Sequence, residues 1–158
     1  MSATPMTSMT IRAFEPADTD AVLALWLLAF PEYNDASRPH RNPRLSIANK
    51  LGTQPELFFV AVDDNGAVVG TAMAGYDGHR GWLYSLAVAP QARRLGIGTR
   101  LVRHAESTLA AMGCLKLNLQ VLSDKPEVIA FYDALGYRAD AVVSLGKRLG
   151  VQEPEAIA

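Results

Sequence analysis

The sequence has 158 residues, 49% of them hydrophobic, enough for one compact domain with a buried core. A formal net charge of −1 excludes the overall basic field that gathers nucleic acid or an anionic membrane. The single cysteine, Cys114, excludes an internal disulfide, no Cys/His cluster has metal-ligand spacing, and no stretch approaches the roughly 20 apolar residues of a membrane span.

Taken in chain order, Met1 to Met9 is small and polar and reads as a disordered tail without the charged start and apolar run of a signal peptide. With the lone thiol, this points to a reducing cytoplasm. Thr10 to Phe14 alternates as a strand. Glu15-Pro16-Ala17-Asp18 carries helix-start chemistry, and Val22, Leu25, Trp26 and Ala29 follow at helical spacing through Phe30, where Pro31 stops the helix. Glu32 to Asn49 is polar and turn-rich, with a short helix expected from Leu45 to Leu51. Such an insertion suits a specificity loop as well as it suits a solvated connector.

Leu57 to Val62 reads as a strand, Asp63-Asp64-Asn65-Gly66 as a hairpin turn, and Ala67 to Gly75 as the partner strand. A second turn, Tyr76 to Gly81, leads into the strand Trp82 to Val88, which stops before Pro90. Ile97, Leu101, Ala105 and Leu109 then form one apolar helical face, ended by Gly113. Cys114, at the head of the next apolar run, reads as a buried structural thiol. Lys116 to Leu122 alternates as a strand. Asp124 and Glu127 have capping-box spacing for a helix from Pro126 to Leu135, ended by Gly136. Tyr137 to Ala141 and Val143 to Arg148 read as closing strands, and a tail runs from Gly150. An antiparallel meander followed by a parallel crossover predicts an α+β fold with a mixed, mostly antiparallel sheet of about six or seven strands and about four flanking helices.

The chemistry-bearing stretch is Ser85 to Leu101. A strand, a basic turn with Gly96 and Gly98, and a helix start follow one another there. Backbone N–H groups without intrahelical partners and the positive end of the helix dipole favour an anion, and the glycines let a diphosphate approach the backbone. Arg93 and Arg94, with Arg100 and Arg103 beyond, make the positive charge local, which suits a small polyanion better than a polymer. Two nucleotide-binding alternatives fail: no G-x-x-x-x-G-K-[ST] string occurs, and Gly96-x-Gly98 is not followed by the third glycine of a dinucleotide fingerprint.

The spacing Arg93-x-x-Gly96-x-Gly98 after a strand resembles the acyl-CoA pyrophosphate loop of the GNAT (Gcn5-related N-acetyltransferase) superfamily. A second segment, Ala130-Phe-Tyr132-Asp-Ala-Leu-Gly136-Tyr137, resembles that family's F-Y-x-x-x-G-[FY] ending. Gly75 to Gly81 and Ser144 to Leu149 are similar to the YpeA-type branch of bacterial acetyltransferases. The resemblance runs from Thr10 to Arg148 and implies a GNAT fold in one domain over residues 10–149. It implies acetyl-CoA as co-substrate, with no metal. It implies cofactor contacts from Leu86, Ala87 and Val88 along the strand and from Arg93, Arg94, Leu95, Gly96, Ile97, Gly98 and Thr99 at the loop. By the same resemblance an N–H near Leu86 polarises the thioester and Tyr132 protonates the departing thiolate. The family often carries Asn seven positions before that tyrosine; Lys125 stands there.

The resemblance implies an N-acetyltransferase acting on a primary amine of a small molecule, peptide or protein. No Cys or Ser is well placed as a nucleophile, so direct attack in a ternary complex is expected. The amine must lose a proton, and Glu32, Tyr33, Asp77, His79 and Tyr84 are the candidates for acceptor contact. Asp77 and His79 sit in a turn about 10–15 Å from Leu86 by strand rise, and Tyr84 and Ser85 are expected on opposite faces of their strand. A catalytically weak acyl-CoA sensor and a protein N-terminal or lysine acetyltransferase are the alternative readings. No nucleic-acid or membrane partner is expected. Homodimerisation, with Val143 to Arg148 pairing across an interface, is a family expectation.

Overall fold

The apolar runs from Met9 to Leu119 make one sheet. The computed structural model describes residues 8–35 and 37–150, which fall into two compact units divided between Leu122 and Ser123. Residues 1–7 and 151–158, most of the two expected tails, lie outside the described residues. In the first unit the strands are β1 (Met9–Ala13), β2 (Phe58–Asp63), β3 (Val68–Tyr76), β4 (Gly81–Val88) and β5 (Leu117–Leu119), in the spatial order of their numbers. The first four pair antiparallel, and β5 lies parallel to β4. The parallel pair needs a crossover, which α3 (Ile97–Ala111) supplies.

Both faces of the sheet are covered, which is why β2 and β3 read as continuous rather than alternating apolar runs. Phe58, Phe59, Val60 and Ala61 are all buried. α3 packs on β2, β3 and β4 through Leu101, Val102, Ala105 and Leu109. α1 (Thr19–Ala29) packs on β3 and β4, with Val22, Leu25 and Trp26 buried. The two helices take opposite faces, because Gly70 meets Leu101 of α3 and its neighbour Thr71 meets Trp26 of α1. The entry to α1 is fixed by Arg12, whose guanidinium donates to both carboxylate oxygens of Asp18 at 2.7 and 2.9 Å. The Asp18 carboxyl is held below the usual carboxylate range, chiefly by those bonds. The polar insertion between α1 and β2 forms short 3-10 turns and α2 (Pro43–Leu51), capped by Asn42, whose side chain accepts from the Leu45 N–H at 3.2 Å.

The second unit contains α4 (Pro126–Ala134), followed by Gly136 at φ +98°. Three expectations are corrected here. Among the described residues there are five strands, because neither 137–141 nor 143–148 forms one. The first of these runs offers Ala and Asp where a pleated surface favours β-branched side chains, and the second is interrupted by Gly146. The capping box on Asp124 does not form, since Lys125 takes the cap position and Pro126 opens the helix. Cys114 is only half-buried, with Sγ 3.4 Å from Lys116 O.

Gly70 is required where α3 crosses β3. A Cβ there would stand 2.9 Å from Leu101 Cδ1, 3.0 Å from Ile97 Cγ2 and 3.2 Å from the backbone oxygen of Ala87. Gly70→Ala is expected to destabilise by about 1–3 kcal/mol, as overpacking does, which urea denaturation will measure.

Candidate active site

β4 has an unusual pair of edges. β5 pairs only with Gly81 to Leu83, so from Tyr84 to Val88 that edge has no strand partner among the described residues. On the other edge, the register with β3 shifts between Met73↔Tyr84 and Thr71↔Ala87. Ser85 and Leu86 together oppose Ala72 there, which is a bulge with one extra residue on β4. Ser85 takes up the extra residue at φ +52°, a left-handed conformation that costs a non-glycine residue about 1–2 kcal/mol. The bulge is braced from beneath: Trp26 Nε1 donates to Thr71 Oγ1 at 2.8 Å, and Thr71 Oγ1 donates to Ser85 O at 2.9 Å. Trp26 and Thr71 are fully buried.

The bulge also overturns the expected alternation. Ser85 Oγ lies 3.4 Å from the Tyr33 hydroxyl in the turn after α1, while the Tyr84 ring lies under Lys50 Nζ of α2 at 5.7 Å. Both side chains thus reach the α1–α2 segment. A regular strand would have sent one of them to the α3 face.

Beyond β4, Pro90–Ala92 makes a 3-10 turn, and Arg93, Arg94, Leu95 and Gly96 are exposed. Arg94 and Gly96 both have positive φ, +66° and +78°. Two left-handed residues so close together turn the chain sharply into α3. The first helical bond runs from the Arg100 N–H to Gly96 O at 3.0 Å, so the N–H groups of Ile97, Gly98 and Thr99 have no intrahelical acceptor. No side chain caps this terminus and no acid stands in its first turn. The helix start is therefore positive and open to an anion. Of the four arginines expected to concentrate here, two are spent elsewhere: Arg100 donates to Met9 O at 3.2 Å, and Arg103 pairs with Glu106 at 2.7 Å.

In the second unit, Tyr132 sits on α4 and is buried, with edge-on ring contacts to Phe131 at 5.0 Å and Tyr137 at 5.6 Å. Burial pushes its phenol well above the ordinary tyrosine range. The phenol is thus held in the protonated, donor-competent form.

The acceptor candidates separate into two places. Tyr33 is gathered with Ser85, Trp26 and Phe30, and Tyr84 stands one residue before Ser85. Glu32 lies 4.0 Å from Arg41 across the same segment. Burial raises the phenols of Tyr33 and Tyr84. Asp77 and His79 lie instead at the far end of β4. The Asp77 carboxylate accepts the N–H groups of His79 and Arg80, both at 2.7 Å, which holds its pKa down and makes it a turn residue rather than a ready base.

Comparison with known proteins bears on all of this. The family model described as "Acetyltransferase (GNAT) family" matches residues 19–137. The chain belongs to the GNAT acetyltransferase family. It is 43% identical over 145 residues to an acetyltransferase of Yersinia enterocolitica, covering 92% of this chain and 99% of that one. An acetyltransferase of Pectobacterium atrosepticum is 43% identical over 141 residues, covering 89% and 96%. Among solved structures, Ard1 from Thermoplasma volcanium superposes with a TM-score of 0.71 at 28% identity, covering 84% of each chain. The aminoglycoside N-acetyltransferase AAC(6')-Iy, solved with CoA, shares the fold with a TM-score of 0.71 at 17% identity, over 94% of this chain and 100% of that one. As a GNAT member the chain is an acyltransferase, of the class that moves acetyl groups from acetyl-CoA to amines.

Sequence reasoning missed the residues that brace and flank β4. Thr71 carried a signal, as the lone hydroxyl in an otherwise apolar buried strand, where an unpaired hydroxyl is costly. Lys50 carried none. It is buried on α2, it donates from Nζ to Ala74 O, and its pKa is lowered by desolvation. Gly96→Ala meets no atom within 4 Å but must hold φ +78°. It is expected to destabilise by about 1–2 kcal/mol through backbone strain alone, which thermal unfolding will show.

Proposed function

We propose that this GNAT enzyme transfers an acetyl group from acetyl-CoA to a primary amine by direct attack within a ternary complex. The observation that carries the reading is the continuity of three features in one stretch: the bulge, the unpartnered edge of β4, and the uncapped start of α3. The residues fit the ligand. The N–H groups of Ile97, Gly98 and Thr99 and the exposed side chains of Arg93 and Arg94 hold the diphosphate, with Leu95 and Gly96 shaping the loop. Leu86, Ala87 and Val88 offer backbone groups along the open edge to the amide-bearing arm. Acetyl-CoA supplies a thioester carbon for the amine nitrogen and a thiolate as leaving group.

The chain's own contribution is to orient, polarise and protonate. The Leu86 N–H stabilises negative charge on the carbonyl oxygen. Tyr132, kept protonated by its raised pKa, gives its phenolic proton to the thiolate as the C–S bond breaks. The proton lost by the attacking amine passes through solvent to restore the phenol, so that the products are the amide and the free CoA thiol. Tyr33, Tyr84 and Glu32 line the acceptor side, and the amine reaches the carbonyl from the α1–α2 face. We read residues 10–149 as one catalytic domain, which the span of the family match supports, and place the reaction in a reducing cytoplasm.

Calorimetric titration of acetyl-CoA tests the site. Wild type is expected to bind, and a folded Gly96→Glu, Gly98→Glu double variant is expected to lose binding; equal binding by both would refute the loop assignment. Tyr132→Phe is expected to lower kcat about 100-fold with unchanged acetyl-CoA affinity, read from turnover over an amine panel. Because a raised phenol pKa keeps the acid protonated as pH rises, the wild-type kcat profile should show no descending limb from this group below about pH 10.

A further inference from the structure

The left-handed residue of β4 is held by side chains remote in sequence. The indole N–H of Trp26 only donates, and it donates to Thr71 Oγ1 at 2.8 Å. That bond occupies a lone pair of the threonine oxygen and leaves the hydroxyl proton for Ser85 O, 2.9 Å away. The carbonyl of Ser85 and the N–H of Leu86 belong to one planar peptide, and no described peptide bond is cis. In a trans peptide the C=O and N–H bonds point in opposite directions. Anchoring Ser85 O on Thr71 therefore sets the direction of the Leu86 N–H, away from the threonine. A carbonyl that accepts a hydrogen bond also polarises its own peptide, which strengthens the N–H on the other side as a donor.

We infer that Trp26 and Thr71 are positioning residues for acyl transfer: their indole–hydroxyl relay aims and strengthens the Leu86 N–H as a donor to the thioester carbonyl. The inference rests on the proposed placement of acetyl-CoA along Leu86 to Val88. It accounts for two features that packing alone does not require. One is a buried hydroxyl in a strand of apolar neighbours, and the other is a serine kept at φ +52° where glycine is the ordinary choice. Without the hydroxyl, the Ser85 carbonyl loses the side-chain donor that fixes the direction of its peptide.

The test uses Thr71→Val, which keeps the shape and removes the donor, with Thr71→Ser as the rescue. Infrared spectra of bound acetyl-CoA carrying a 13C carbonyl report the polarisation directly. In wild type the carbonyl stretch is expected below its solution value. In Thr71→Val it is expected to return toward that value, with kcat reduced about 10- to 100-fold, less than for outright loss of an oxyanion donor. Affinity should stay within about threefold, since the relay acts on the transition state rather than on the diphosphate. Thr71→Ser is expected to restore both the stretch and the rate. If Thr71→Val does not fold, Trp26→Phe, which leaves the hydroxyl without its donor, should shift the stretch in the same direction by less. An unchanged stretch in a folded variant, or a loss of affinity in step with the loss of rate, overturns the inference. Absence of acetyl-CoA binding to wild type would instead remove the reading beneath it.

Discussion

The buried hydroxyl of Thr71 is the contact on which the rest of the site depends. It accepts from an indole on α1 and donates to a carbonyl of β4, so it ties helix, β3 and bulge together beneath the strand. A hydroxyl in that environment is unfavourable unless both roles are filled. Here both are. The bulge it supports shifts the register of β4 by one residue, and three consequences follow. Tyr84 and Ser85 come to the same side, Ser85 adopts a left-handed backbone, and the pairing with β3 resumes one residue out of step just where β5 has already parted from β4. The short β5 leaves the other edge of β4 open from Tyr84 onward, and the bulge sets how the backbone is turned along that edge.

The other half of the site is a matter of electrostatics at a helix start. α3 begins without a side-chain cap and without an acid, which leaves its first N–H groups and dipole uncompensated within the protein. Its apolar face is nevertheless firmly seated, with Leu101 and Val102 fully buried and Gly70 permitting close approach to β3. The helix is anchored along its length, so its open N-terminus is a fixed feature rather than a frayed one. Arg93 and Arg94 add charge at that mouth, while Arg100 and Arg103 serve the fold.

The proposed acceptor side is the segment between α1 and β2, whose sequence is dominated by turn-forming residues. It folds into short 3-10 turns and α2 that bring Tyr33 and Lys50 against β4. Aromatic rings and partly desolvated phenols with raised pKa dominate there. The turn holding Asp77 and His79 is a self-contained structural unit whose carboxylate is already committed to backbone N–H groups.

Much of this was legible in the residues themselves. Alternating and continuous apolar runs, an Asn-Gly turn and an apolar stripe at helical spacing are local signals, and they specify β1 to β4, α1, α3 and α4 to within a residue or two. The glycine-bearing basic turn after a strand is likewise local, because exposed N–H groups and positive φ are properties of a few consecutive residues. What the sequence could not determine is whatever depends on pairing across the sheet. The bulge at Ser85, the common side of Tyr84 and Ser85, and the relay from Trp26 through Thr71 each join residues far apart in the chain. The closing strands failed for the same reason in reverse, since an alternating run becomes a strand only when a neighbouring edge accepts its hydrogen bonds. Local patterning determined the elements and the uncapped basic turn; the tertiary structure decided which backbone edge was left open and which side chains brace it, because hydrogen-bond register is a property of two strands and never of one.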